Sequence, residues 1–347
     1  MTDLLTVSDL RLRYPGRGLR STGPEVLRGV SLSIRPGETL GLVGESGSGK
    51  TTLGRAVLGL AQPTGGSITF DGRDITHLKA RERRPLAKDV QVVFQDPYTS
   101  LNPAMQIADI LSEPLIAQGT PGPEARKAVG SLLDQVGLPA NAAQRYAREF
   151  SGGQRQRVAI ARALALSPRL IVCDEPVSAL DVSVQAQVVN LLEDLQSEFG
   201  LAYVFIAHDL SVVRHISDRV AVMYLGKIME ITDRDTLYEA PMHPYTHALL
   251  SAVPIPDPAV EARREKILLT GDLPSPSNPP SGCVFHTRCP KYRNELSESE
   301  REHCRTVQPV LEEKRPGQSV YCHFPQVRAD LIAGEPGPIR STRPKAA

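Results

Sequence analysis

The chain has 347 residues, with 40 Lys and Arg against 39 Asp and Glu and a formal net charge of +1. That length suits about two domains, and the balanced charge argues against a general nucleic-acid binder, which carries a clear basic excess. With 41% hydrophobic and 23% charged residues, but 5% aromatic residues and no Trp, the composition is globular and poor in material for a base-stacking platform.

The longest apolar stretches, such as 201–207, are strand-sized, whereas a membrane-crossing helix needs about 20 apolar residues. The N-terminus has Asp3 and Asp9 and no apolar h-region, so it does not read as a secretory signal, and the expected location is cytosolic. In that reducing compartment five Cys point to metal ligands or buried thiols before disulfides.

In chain order, the first predicted strand of the core, 39–43, runs into Gly44-Glu45-Ser46-Gly47-Ser48-Gly49-Lys50-Thr51, and Thr52 continues a helical stretch to 58. This is the pattern G-x-x-x-x-G-K-[ST] between a strand and a helix. Its glycines let backbone N–H groups curl around the β- and γ-phosphates, and the helix N-terminus adds favourable partial charge. Lys50 would reach the terminal phosphates and the Thr51 hydroxyl would bind Mg²⁺.

A second strand, 90–94, ends at Gln95. Helical patterning follows at 107–118, 124–136 and 154–166, and the interval 95–169 reads as a helical insertion into an α/β core. The strand 170–173 ends in Asp174-Glu175. Acids at the end of a buried apolar strand need partners. Asp174 can hold Mg²⁺ through its water shell, and Glu175 can polarise the attacking water as general base. Strands 202–207 and 220–224 complete the alternation. Runs apolar at nearly every position suit a parallel sheet covered by helices on both faces.

Composition changes near residue 240. Residues 1–240 hold 13 prolines and residues 241–347 the other 16, together with four of the five Cys. A boundary is expected there, with a Pro-rich connection over 254–280 and a loose tail after 325.

Phe150-Ser151-Gly152-Gly153-Gln154 resembles the Leu-Ser-Gly-Gly-Gln signature of the ATP-binding subunits of ABC transporters, with Phe in place of Leu. Ser151 is a natural N-cap for the helix that follows. The resemblance implies a P-loop (RecA-like) α/β core with an N-terminal antiparallel β portion. It also implies a helical insertion subdomain at about 96–165 within an ATPase domain at 1–240. In the family, Ser151, Gly152, Gly153 and Gln154 contact the γ-phosphate held by a second ATPase subunit, identical or homologous. Asp181, in the loop 178–181, crosses the dimer interface. Gln95 corresponds to the glutamine that senses Mg²⁺ and the attacking water, His208 to the switch histidine that orients Glu175, and Tyr14 to the aromatic that stacks on adenine.

Within the family, residues 95–103, 181–187 and 243–246 resemble the oligopeptide/dipeptide import branch, which also includes nickel and glutathione importers. The implied function is MgATP hydrolysis coupled to peptide uptake. Two membrane-spanning permease subunits, an extracytoplasmic binding protein and a peripheral place on the cytoplasmic face of the inner membrane come with it. A soluble, non-transport ABC ATPase is the rival, and the chain lacks the tandem cassette, coiled-coil insertion or basic tail of such proteins. The extension 241–325 resembles the branch's C-terminal Cys motif, which in some members holds an iron–sulfur cluster. Cys283, Cys289, Cys304 and Cys322 suit [4Fe–4S] or Zn²⁺ alike, and their spacing is neither a C-x2-C pair nor a ferredoxin run. Free or oxidisable thiols are the third reading. Arg288 would help offset thiolate charge, and Cys173 reads as an inert strand residue.

Overall fold

A computed structural model of the chain describes residues 2–16, 22–96, 100–254, 266–329 and 331. Pro97, Tyr98 and Thr99 of the branch motif lie outside the described residues, as do 255–265 of the Pro-rich connection and most of the tail beyond 329.

Among the described residues the strands form two sheets. In the smaller, antiparallel sheet, β1 (Leu5–Pro15) lies between β2 (Thr22–Ile34) and β4 (Gly65–Phe70), with the short β5 (Arg73–Asp74) outside β4. The larger sheet holds β3 (Thr39–Val43), β6 (Val90–Val93), β7 (Leu170–Asp174), β8 (Ala202–Ile206), β9 (Arg219–Tyr224) and β10 (Lys227–Asp233). It is completed by β11 (Glu312–Arg315) and β12 (Gln318–Val320), in the order β11-β12-β10-β9-β3-β8-β7-β6. From β9 to β6 the strands are parallel, and from β9 to β11 they are antiparallel.

Of the five parallel strands, β3, β7, β8 and β9 read as nearly continuous apolar runs because both faces are buried, and the pleat divides their side chains between two cores. Leu40, Leu42, Leu170, Val172, Val204 and Ile206 face one core, with Leu53, Ala56 and Val57 of the helix Lys50–Leu58. Ile171, Cys173, Tyr203, Phe205, Val220 and Val222 face the other, with Val188 and Leu192 of the helix Val182–Phe199. Successive side chains of a strand point to opposite faces, so one uninterrupted run serves both. Gly54 lets the first helix approach the sheet: a Cβ there would lie 3.0 Å from Val172 and 3.1 Å from Ile206.

The segment between β6 and β7 carries the helices Ile107–Ala117, Gly122–Gln135 and Gly152–Leu164. Their apolar stripes, including Ile110, Leu111, Val129, Leu133 and Val158, join the second core. The last of these begins at Gly152 rather than 154. Ser151 Oγ accepts from the Gln154 N–H at 3.3 Å, and Gln154 Oε1 accepts from the Ser151 N–H at 3.1 Å, so the cap lies three residues upstream of the apolar pattern.

Past residue 240 the chain returns to the large sheet. β12 pairs with β10 through Glu230 and Ile231, and β11, rich in charge, forms the outer edge. Charged residues suit an edge strand but mask its periodicity, so no apolar run announces it. Glu230, fully buried, fixes this junction. Its carboxylate accepts from the Met242 N–H at 2.9 Å, the His243 N–H at 3.0 Å and Gln318 Nε2 at 2.8 Å. Among the described residues no helix is long and apolar enough to cross a membrane.

Candidate functional site

A cleft of about 380 Å³ opens where β3 meets the helix Lys50–Leu58, within the range of small-molecule sites. It is lined by Ser46, Gly47, Gly49, Lys50, Thr51 and Thr52, by Gln95, Glu175 and His208, and by Val26 of β2. Gly49 is the N-cap, in the left-handed region at φ 107°, and makes no side-chain capping bond; the first turn carries no acid. The first helical N–H groups therefore face the cleft without a protein side chain to satisfy them, the local condition for an anion. Gly44 passes so close to β9 that a Cβ would lie 2.0 Å from the Met223 carbonyl. Below the loop, Ser48 Oγ is buried without a partner.

Lys50 Nζ donates to the Gly44 carbonyl at 2.7 Å and the Glu45 carbonyl at 3.1 Å. Burial lowers its pKa from the ordinary lysine value, against the opposing pull of Glu175, Asp174 and Glu45. The Thr51 hydroxyl donates to Asp174 Oδ1 at 2.8 Å. Burial raises the Asp174 pKa against that hydrogen bond, and nearby Glu175 raises it further. The two side chains expected to serve Mg²⁺ thus meet at one point, although they lie 123 residues apart in the chain.

Glu175 follows β7 in the left-handed region at φ 46°, which turns its side chain out of the strand's alternation. Gln95 Nε2 donates to Glu175 Oε2 at 3.0 Å, and His208 Nδ1 lies 3.5 Å from the same oxygen. Three residues from the ends of three strands meet at one carboxylate at the edge of the phosphate loop.

Other expected nucleotide contacts lie elsewhere. Ser151, Gly152, Gly153 and Gln154 do not line the cleft; they open their own helix, where a Cβ on Gly153 would lie 2.4 Å from Val184. Asp181 caps the helix Val182–Phe199, accepting from the Val184 N–H at 3.0 Å. Tyr14 is absent from the lining and packs on the first core, and Val26 is the residue of that sheet that reaches the cleft. Val26 carries no local motif, so the sequence offers no signal for it; Tyr245 and Arg288 stand in segments the sequence singled out, but nothing local there points to Glu45.

The four C-terminal cysteines line one small cavity together with Phe285 and Phe324. Burial pushes the Cys283 thiol up to about 12 and the Cys289 thiol to about 11, and also raises Cys304 and Cys322. The four residues line one space, yet among the described residues no group of three or more His, Cys, Asp or Glu is arranged to hold a metal ion. Cys173 is fully buried in β7, its thiol also raised by desolvation.

A phosphate loop between strand and helix, two acids at the end of a neighbouring strand and a helical insertion capped by Ser151 define an ATPase domain of the ABC class. The ABC transporter profile matches residues 27–178, and that of the oligopeptide/dipeptide transporter C-terminal region matches residues 229–295. The putative oligopeptide transport ATP-binding protein YkfD of Bacillus subtilis is 53% identical over 323 residues, 92% of this chain and 95% of that one. The oligopeptide transport ATP-binding protein OppF of Salmonella typhimurium is 51% identical over 89% of this chain and 92% of its own. Among solved structures, cbiO1 of Clostridium perfringens, part of the ABC transporter complex cbiONQ, superposes with TM-score 0.62 at 28% identity, covering 69% of this chain and 91% of that chain. A dimeric post-hydrolysis ATP-binding cassette bound to ADP and Pi gives 0.59 at 29% identity, covering 66% and 98%. The chain belongs to the ATP-binding proteins of ABC transporters, in their oligopeptide/dipeptide branch.

Proposed function

We propose that this chain binds MgATP in the cleft beside Lys50 and hydrolyses it at the interface with a second ATPase subunit, driving peptide uptake through two membrane-spanning permease subunits. The observation that carries the reading is the convergence of Gln95 and His208 on Glu175 Oε2, at the rim of a loop whose helix N-terminus faces the cleft. Glu175 accepts a proton from the attacking water, while the Gln95 amide and the His208 ring hold its carboxylate in one orientation. Lys50 and the N–H groups of residues 46–51 hold the phosphates. Thr51 and Asp174, with Gln95, would hold Mg²⁺, which when bound neutralises developing charge on the phosphate oxygens.

Ser151 to Gln154 do not line the chain's own cleft, and a structural relative is dimeric with ADP and Pi bound. Both facts support completion of each site by the partner's signature helix. The reading places the chain at the cytoplasmic face of the inner membrane, held there by its permease partners and served by an extracytoplasmic binding protein. Glu175→Gln should keep MgATP binding and lower hydrolysis by about 10²–10⁴, the usual contribution of a positioned base. Wild-type turnover in that variant, measured by phosphate release, would show that the base lies elsewhere.

For the cysteine cavity the reading is an iron–sulfur cluster on Cys283, Cys289, Cys304 and Cys322, supported by four soft donors around one apolar space. The sulfurs would have to draw inward and release their protons on ligation. Anaerobic purification should yield brown protein with visible sulfur-to-iron absorbance. Colourless protein rules the cluster out, and stoichiometric zinc in it would assign the site to that metal instead.

A further inference from the structure

Glu45, the second residue of the phosphate loop, is held by two residues from beyond residue 240. Arg288 Nη1 lies 2.8 Å from Glu45 Oε2 and 3.1 Å from Oε1. The Glu45 N–H donates to the Tyr245 hydroxyl at 2.9 Å. Tyr245 is fully buried, and its ring packs on Tyr224 of β9 and on Phe285, with centroids 4.8 and 5.3 Å away. Arg288 is buried as well and lies over the Tyr224 ring at 5.9 Å. The Glu45 peptide is therefore gripped at its N–H and at its carboxylate, while its carbonyl and that of Gly44 hold Lys50.

We propose that Arg288 and Tyr245 are positioning residues for the nucleotide site, setting the Gly44–Glu45 peptide that aims Lys50 and neutralising the Glu45 carboxylate beside the triphosphate. This rests on the reading of residues 44–51 as the phosphate loop. Two physical effects act in the same direction. A loop whose carbonyls are fixed presents the lysine without an ordering penalty on binding. A Glu45 carboxylate left without Arg288 would repel a triphosphate through a poorly screened, partly buried site. Neither effect needs Arg288 or Tyr245 to touch nucleotide. The sequence alone could not show the link, because the ion pair joins residues 243 positions apart.

The test is equilibrium binding of magnesium AMP-PNP to the full chain, followed by calorimetry at low and high salt, with melting temperatures recorded for each variant. Arg288→Gln should weaken binding about tenfold, inside the usual range for coupled sites, and less at high salt. Arg288→Lys keeps the charge and should recover part of the loss. Adding Glu45→Gln to Arg288→Gln should also restore affinity, since the unpaired carboxylate is gone. Tyr245→Phe, which keeps the ring packing, should cost about threefold, the worth of one net hydrogen bond. That variant carries the test if Arg288→Gln fails to fold.

Wild-type affinity in both Arg288→Gln and Tyr245→Phe would overturn the proposal, as would a double variant no tighter than Arg288→Gln alone. A merely structural role would lower melting temperature without a salt-dependent, carboxylate-dependent change in affinity. Lys50→Ala separates the two readings. If it binds like wild type the phosphate-loop reading itself fails, whereas loss at Lys50 with no effect at Arg288 or Tyr245 removes only the positioning role.

Discussion

The nucleotide cleft and the cysteine cavity both desolvate reactive groups, and they treat the resulting charge in opposite ways. In the cleft, burial works against the Lys50 ammonium, but Glu175, Asp174 and Glu45 pull the other way and two backbone carbonyls accept its protons. In the cavity, burial raises all four thiols, and the Cys283 thiol is raised further by Cys289 and Cys304. A buried charge persists where partners surround it, and a buried ionisable group without them stays neutral. The cleft is therefore organised to receive a charged ligand as it stands, whereas the cavity must lose protons before it can bind one.

The contrast predicts its largest effect in thiol reactivity. At pH 8, Cys289 should alkylate about 10²-fold and Cys283 about 10³-fold more slowly in the folded chain than in denaturant, because few of the buried thiols are ionised. Mass spectrometry of the labelled peptides checks this, and equal rates would mean that the cavity is open to solvent. Next in size, Lys50→Ala should weaken MgATP binding by about tenfold to a hundredfold, the worth of a charge-assisted hydrogen bond. Unchanged affinity would remove Lys50 from the phosphate site.

The last expected effect concerns the junction between the two regions. His243, whose Nδ1 accepts from the Tyr245 N–H at 3.0 Å, is held neutral by burial, its pKa pushed down from 6.5 to about 3. Unfolding lets it take up a proton below about pH 6.5, so its contribution is intact above that value and declines as the pH falls toward 3. Between pH 7 and 5 the loss should be about 2 kcal/mol, seen as a falling midpoint in urea. Nearby Glu230 has a raised pKa, also from burial, and acts with the opposite sign, favouring the fold as pH falls below its folded pKa. His243→Asn, able to cap the same N–H, should flatten the acid limb; an unchanged pH profile would exclude His243 as its source.

Much of the site was legible because its parts are local. The glycines of residues 44–49, with Lys50 and Thr51, form one continuous turn whose backbone demands are written in adjacent residues, and Asp174-Glu175 interrupt an apolar strand where only partnered acids belong. Order in the chain then placed Gln95 and His208 at strand ends beside them, and the structure brings both to Glu175. Tyr14 shows the limit. It lies near the end of β1 and is absent from the cleft lining, to which the antiparallel sheet contributes Val26 of β2.

The sequence by itself determined the α/β core, the phosphate loop, the helical insertion and the family, because hydrophobic runs and turn chemistry are short-range properties of the chain. Tertiary structure alone decided that β11 and β12 extend the same sheet, that four distant thiols share one cavity, and that Arg288 and Tyr245 grip the phosphate loop. Those contacts join residues far apart in sequence, where charge and size must match across an interface that no local pattern encodes.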